Sequence, residues 1–396
     1  MYKPKLWTKD FLIDSTTNFF LYLVYYLLIV TIAVYATDNL QASPSQAGLA
    51  SGIFILGTLV ARVFAGRAID RVGRKKMLYI GLMFYLFATL LYFGINSLMS
   101  LYVIRFLHGA GFGISGTATG TIIASIIPSE RRGEGTGYYA MSATLASAIG
   151  PFLGMFLNRQ GNLDMILVLA IILLTVSFMA VFFLKVPEAK LTKEQLDELK
   201  GCKLKTFFEA KAIPISIISI FIGLSFSSIL AFLASYAREI NLVQAGSFFF
   251  IFYAASILVS RPFTGRWFDQ KGENFVMYPS FLLFAIGIAI LSQANQGFYL
   301  LFAGVIVGLG YGTFLSSAQA IAIKVSPRHR MGLATSTFFS FIDVGVGIGP
   351  FLLGLLIPIT GLRGMYAGIA VVILASCFLY YFLHGREAKN VAKAIG

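Results

Sequence analysis

Charge is what this chain has least of. Only 12% of its 396 residues are Asp, Glu, Lys or Arg, against about 25% in soluble domains, while 58% are hydrophobic and mean hydropathy is +0.81. A water-soluble fold of this length could not hide that much apolar surface, which excludes a soluble enzyme and a disordered chain. Acids are scarcer still, at 17 against 31 basic residues. Two Cys, Cys202 in a charged loop and Cys377 in an apolar run, exclude a disulfide scaffold and have no reason to meet. Three His, at 108, 329 and 384, offer neither a metal-ligand cluster nor a nucleophile–base set, so no metal, cofactor or enzymatic step is expected.

What is present is apolar length. A bilayer-spanning helix needs about 20 apolar residues. Runs of that length fall near 11–36, 44–66, 77–95, 99–126, 135–157, 163–184, 212–236, 244–265, 275–294, 297–324, 332–358 and 364–384. Twelve is even, so both termini share one side. The opening MYKPKLWTKD carries three Lys and enters the first run without a small-residue cleavage site, which reads as a retained span. Of the 31 basic residues, Arg105 lies within a span, Arg159, Arg238 and Arg363 lie opposite the termini, and all others lie on the termini's side. Lys and Arg mark cytoplasmic loops, so both ends are expected on the cytoplasmic side of a cell membrane. The same spread over separate segments accounts for the net charge of +14 without a nucleic-acid partner.

The longest connection, about 185–211, is charged on both signs. Within it Thr192 to Gln195 has capping-box spacing, with Leu196 and Leu199 on one face, as in a short surface helix tethering two halves.

Those halves repeat at an offset of 199 residues. Arg62, Gly66, Arg67, Asp70 and Gly73 map onto Arg261, Gly265, Arg266, Asp269 and Gly272. Gly109, Gly111 and Gly113 map onto Gly308, Gly310 and Gly312, and Pro128, Arg131 and Gly133 onto Pro327, Arg330 and Gly332. Gly150-Pro151-Phe152-Leu153 recurs as Gly349-Pro350-Phe351-Leu352. Halves of six spans enter the bilayer in the same orientation, the parallel-repeat arrangement of carriers that open alternately to each side. The expected fold is therefore an all-α polytopic membrane protein of twelve transmembrane helices in two six-helix bundles, 1–184 and 212–396, joined by 185–211.

The turn between spans 2 and 3 carries Gly66, Asp70, Arg71, Gly73, Arg74 and Lys75 in G-x-x-x-D-R-x-G-R-K order. It resembles the signature of the major facilitator superfamily, and the resemblance extends over essentially the whole chain. Gly66 lets helices approach closely, Gly73 permits a tight turn, and Asp70 can accept from a helix N-terminus or pair with a nearby Arg. Gly265 and Asp269 repeat the motif, so these turns are expected to gate the cytoplasmic side. In span 5, Ala146 to Gly154 is similar to the G-x-x-x-G-P-x-x-G pattern of proton-driven exporters in that family, with Ala146 and Met155 where Gly is usual. Gly150, Pro151 and their repeats Gly349 and Pro350 are candidates for a bent, close-packed gate or for plain helix packing.

Intramembrane charge singles out the remaining candidates. Arg105 in span 4 resembles a buried Arg of the family and reads as proton or substrate coupling, or as a side chain snorkelling to the nearby outer end. His108, one turn on, is its hydrogen-bonded partner or a proton carrier. Asp343 falls near mid-depth of span 11, where an isolated acid would exchange protons if a cavity reached it. Asp14, with Asn18, Tyr22 and Tyr25, forms a polar stripe on span 1, a cavity wall unless Asp14 only favours the helix N-terminus. The 38 Phe and 19 Tyr suit a roomy apolar cavity, or lipid-facing surface.

These readings converge on a monomeric proton-coupled carrier, surrounded by lipid, that exports small lipophilic or amphiphilic compounds by antiport. A dedicated exporter of one metabolite, such as an opine or siderophore that binds metal, and a proton-coupled nutrient symporter share the same features.

Overall fold

The computed structural model describes residues 4–42, 44–158, 163–187, 206–386 and 388, and among them only helices, turns and irregular segments occur. Six long helices precede the central connection: α1 (Lys9–Leu40), α2 (Pro44–Val72), α3 (Arg74–Leu90), α4 (Leu98–Ile126), α5 (Arg132–Asn158) and α6 (Leu163–Phe182). After it come α7 (Ile213–Glu239), α8 (Val243–Lys271), α9 (Glu273–Ser292) and α10 (Gly297–Lys324). A final run, Met331–Tyr380, breaks at Gly361, whose φ of 67° and ψ of 173° are not helical, into α11 (331–360) and α12 (362–380). The twelve helices match the twelve apolar runs. The expected surface helix at Thr192 to Gln195, Leu196 and Leu199, together with Cys202 and Arg159, lies outside the described residues.

Local sequence explains where these helices begin and end. Thr8 caps α1 by accepting from the Phe11 amide at 3.2 Å, and Ser97 and Ser100 form a capping box at the start of α4. Gly73 and Gly272 initiate α3 and α9 with φ of 102° and 85°, conformations that a side chain would strain. Two residues with 199 between them thus make the same turn for the same reason.

Side-chain polarity is inverted relative to a soluble protein. Large apolar residues such as Phe351, Ile359 and Phe378 are exposed, while Arg62, Arg105 and Arg261 are among the largest buried side chains. Lipid is the natural solvent of the former, and the latter need a reason to be where they are.

The chain divides into two compact units. One is drawn from Met1–Pro128, Leu145–Glu209 and Ser326–Thr337, the other from Ser129–Thr144, Ala210–Val325 and Phe338–Gly396. Each unit therefore takes in the beginning of a helix, α11 or α5, from the opposite half of the sequence.

Within each unit a glycine stripe lets helices touch backbone to backbone. A Cβ on Gly109 or Gly113 would overlap the Phe54 or Thr58 carbonyl of α2, and one on Gly308 would overlap that of Tyr253 in α8. Thr58 Oγ1 donates to the Gly109 carbonyl at 3.0 Å across the first of these seams. The second stripe lies in a π-helical turn, Gly308–Gly312, inside α10.

Candidate functional site

Arg105 on α4 is buried, so it does not snorkel to the surface. Its Nε donates to the Ala50 carbonyl at 2.9 Å, its guanidinium lies 4.6 Å from the centre of the Phe54 ring, and Nη1 reaches the Tyr92 hydroxyl at 3.4 Å. His108 lies between that hydroxyl, 3.4 Å from Nδ1, and Thr89 Oγ1, 3.1 Å from Nε2. Thr89 commits its own proton to the Tyr85 carbonyl at 2.8 Å, so it accepts from Nε2–H. Nδ1 is then an acceptor for Tyr92, whose oxygen in turn accepts from Arg105. One directional chain links these groups and assigns a neutral His108, while Arg105 Nη2 is buried without a partner among the described residues. Arg105 and His108 are linked through Tyr92 and not by direct contact.

Asp14 and Asn18 face inward from α1, both buried. Asn18 Oδ1 accepts from Thr119 Oγ1 of α4 at 3.1 Å. Both carboxylate oxygens of Asp14 are buried with no hydrogen-bond partner among the described residues. An acid in that position is stable only when protonated or when something bound there answers its charge. Further along the stripe, Tyr25 stacks on Phe54 and Phe112 at 5.0 and 5.4 Å, and Tyr22 meets Phe112 edge-on at 5.0 Å.

Asp343 is the remaining acid within the spans. On α11 it is half-buried and takes part in an interaction, so it is not an isolated acid. The structure does not join it to Arg105, His108 or Asp14 in any one unit, since it belongs to the second unit and they to the first.

The two signature turns bind the beginnings of two distant helices. Asp70 Oδ2 accepts from the Gly332 amide at 3.0 Å, at the start of α11, and Oδ1 pairs with Arg74 at 3.3 Å. Arg74 also donates to the carbonyls of Pro187 and Arg328 at 3.0 and 3.3 Å. In the other unit Asp269 accepts from the amides of Gly133 and Glu134 at 2.7 and 2.9 Å, at the start of α5. A carboxylate at a helix N-terminus meets free amides and a favourable dipole. Gly66 and Gly265 make the approach possible, because a Cβ there would overlap Ser336 or the backbone of Glu134. Arg71 is exposed, and with Asp70, Gly73, Lys75, Lys76 and Tyr79 it lines a cavity of 460 Å³.

Glu134 adds an ion pair with Arg131 at 2.8 Å and another with Arg266 at 3.1 Å. Burial works against its charge, but the hydrogen bonds and charges of the two Arg residues outweigh it and hold the carboxyl below its ordinary range.

Gly150 on α5 packs against Tyr26 of α1, and Gly349 on α11 against Leu224 and Ser227 of α7. Pro151 and Pro350, each one residue on, interrupt the amide series of their helices. These four residues occupy matching seams in the two units.

The sequence alone did not single out Gly133, Gly332, Glu134, Arg266, Arg62 and Arg261 as site residues. The repeat register already paired Gly133 with Gly332 and Arg62 with Arg261, so matching polar and glycine positions were the available signal. Glu134 has no counterpart in the repeat and no sequence signal marked it.

With this geometry in hand, comparison with known proteins adds the following. The family model for the Major Facilitator Superfamily matches residues 15–278 and 215–396. Multidrug resistance protein MdtG of Dickeya zeae is 33% identical over 350 residues, covering 87% of this chain and 85% of that protein. The staphylopine export protein of Staphylococcus aureus is 23% identical over 357 residues, covering 85% and 87%. The solved proton:xylose symporter XylE superposes with a TM-score of 0.76 at 14% identity, covering 94% of each chain, a likeness of fold.

Proposed function

The chain belongs to the Major Facilitator Superfamily, as an integral membrane transporter and not an enzyme, and from that premise we propose that it is a proton-coupled exporter of small lipophilic or amphiphilic compounds. It works by antiport with alternating access, as a monomer in the cell membrane with both termini cytoplasmic, and its six-helix bundles are 1–184 and 212–396. The names of the multidrug resistance and staphylopine export relatives support the outward direction.

The observation that carries proton coupling is the Asp14 carboxyl, buried with neither oxygen partnered among the described residues. Such a group alternates between a neutral form, stable in place, and a charged form that must be answered by cargo or by water entering from one side. Proton binding and cargo binding at Asp14 then exclude one another. Asn18, fixed by Thr119, is the adjacent polar contact for cargo, and Arg105 sets the positive field of the same unit through the chain to Tyr92 and His108. Asp343 is the second proton candidate. The turns at Asp70 and Asp269 gate the cytoplasmic side by holding or releasing the starts of α11 and α5, and Gly150-Pro151 and Gly349-Pro350 form the bends that let them move. A proton crossing 100 mV yields about 2.3 kcal/mol, enough to hold a roughly 50-fold cargo ratio per proton.

Proteoliposomes with an imposed pH gradient test this. Wild-type protein should expel a preloaded lipophilic dye only while the gradient lasts, and Asp14→Asn should abolish the gradient dependence. Efflux that persists at full rate in Asp14→Asn and Asp343→Asn, still driven by the gradient, would remove both acids from the mechanism. Uptake in place of efflux would make the protein a nutrient symporter.

A further inference from the structure

The second unit contains a buried cation that the proposed mechanism does not use. Arg261 on α8 is 2% exposed, and its Nη1 donates to Ser316 Oγ of α10. Ser316 in turn gives its proton to the Thr313 carbonyl at 3.2 Å, so the hydroxyl is a full acceptor for Arg261. That is one neutral partner for a group with five donors that stays charged at every physiological pH. Its Nε has no partner among the described residues, and no carboxylate among them pairs with it.

Position deepens the anomaly. Arg261 lies ten residues before Lys271, the last residue of α8, which places it about 15 Å along the helix from the cytoplasmic turn. That distance is about half the hydrocarbon thickness, far enough that the side chain cannot reach the headgroups. Gly137 of α5 faces it, and a Cβ there would come within 3.7 Å of Arg261 Cδ, so that position puts no side chain against it. On the same helix Tyr253 stacks with Phe226 at 5.6 Å, and Phe226 lies flat on Tyr311 at 3.9 Å with 5° between the rings. Phe284 completes this nest 5.5 Å from Tyr311.

The arrangement occurs twice. Arg62 is the repeat mate of Arg261, buried and 5.9 Å from the Phe112 ring, and Phe54, Tyr85 and Phe112 are the repeat mates of Tyr253, Phe284 and Tyr311. Two copies of a sequence have kept a mid-membrane guanidinium below an aromatic nest, although an apolar side chain would be cheaper in hydrocarbon at both places.

We propose that Arg261 is the recognition point for an anionic group on the cargo, so that the exported compounds are aromatic or amphiphilic molecules that carry a carboxylate or related anionic group. This deepens the exporter reading and rests on it. A guanidinium with unused donors offers a bidentate site for a carboxylate, and the aromatic nest of Tyr253, Phe226 and Tyr311 accepts the apolar body. Arg261 touches cargo but carries no proton, which separates its role from that of Asp14.

The test is equilibrium binding to the purified full-length protein in nanodiscs, without any gradient, using a rhodamine that carries a free benzoate and its methyl ester. The acid should bind at least tenfold tighter than the ester, a difference of about 1.4 kcal/mol. Arg261→Gln should bring that ratio close to one, Arg261→Lys should keep part of it, and the Tm of Arg261→Gln should hold or rise because an unpaired buried charge has been removed. Equal affinity for the two dyes in the wild type, no binding of the acid, or a ratio unchanged in Arg261→Gln overturns the proposal. So does a fall in Tm that removes both dyes together, which would make Arg261 a structural residue. Should Arg261→Gln fail to fold, Arg261→Lys decides alone, since a lysine lacks the fork and must lower the ratio. None of these readings depends on proton coupling, so failure here and failure in the proteoliposome assay are distinguishable.

Discussion

Asp269 gives the most direct measure of what a signature turn contributes. It receives the Gly133 and Glu134 amides at 2.7 and 2.9 Å, and among the described residues neither amide has another acceptor. Hydrogen bonds to a charged group contribute about 1.5–3 kcal/mol each, and the lower bound suits a half-buried carboxylate. Asp269→Ala therefore loses about 3 kcal/mol locally, and leaves two helix amides to open roughly 100-fold more often. Asp269→Asn keeps one acceptor oxygen and loses the charge, for an effect of about tenfold on the same scale. Hydrogen exchange read by mass spectrometry over 132–138 in purified protein measures this, since the rate of those amides reports the opening equilibrium. Protection should fall in the order wild type, Asn, Ala, with little change at the start of α11, which Asp70 holds. Unchanged protection in Asp269→Ala, or equal loss at both helices, would show that the carboxylate does not hold α5 as argued.

Two further outcomes follow from the same structure. Tyr92→Phe removes the hydroxyl that links Arg105 to His108, leaving a buried donor and acceptor unmet; it should cost about 1–3 kcal/mol of stability, seen as a lower Tm, where Tyr102→Phe at an exposed hydroxyl should cost little. Glu134, held below its ordinary carboxyl range by Arg131 and Arg266, is more acidic in the folded protein than unfolded. Its stabilising contribution is thus complete above the unfolded value near pH 4.3 and is lost as pH falls through the lower folded value, so Glu134→Gln should flatten the acid limb of a Tm-against-pH curve below about pH 4.5.

Legibility in the sequence tracked the range of the physics involved. The twelve helices follow from apolar runs long enough to span hydrocarbon, a constraint that acts on each segment alone. The tight turns at Gly73 and Gly272 follow from a local conformation that excludes a Cβ. Arg105 and Asp14 stood out because charge within an apolar run is visible without a partner. Their surroundings were not: nothing in the spacing of Tyr92, Thr89 and His108 indicates that proton direction runs from Arg105 to the Tyr85 carbonyl, because that order depends on which acceptors α3, the turn after it and α4 bring within 3.5 Å. The half-buried setting of Asp343 was hidden for a related reason. Depth along a helix can be counted from its ends, whereas exposure around the helix depends on which neighbours cover that face.

Sequence by itself determined the membrane habit, the helix count, the repeat and the residue types at each turn, since these depend on hydrophobic length, backbone strain and the copying of one half onto the other. Tertiary structure alone decided that Asp70 reaches across 262 residues to the Gly332 amide and Asp269 back across 136 to Gly133. It also decided that Arg261 faces a hydroxyl and, among the described residues, no acid. Hydrogen bonds and charges act over a few ångströms in space, and only the folded chain says which residues stand that close.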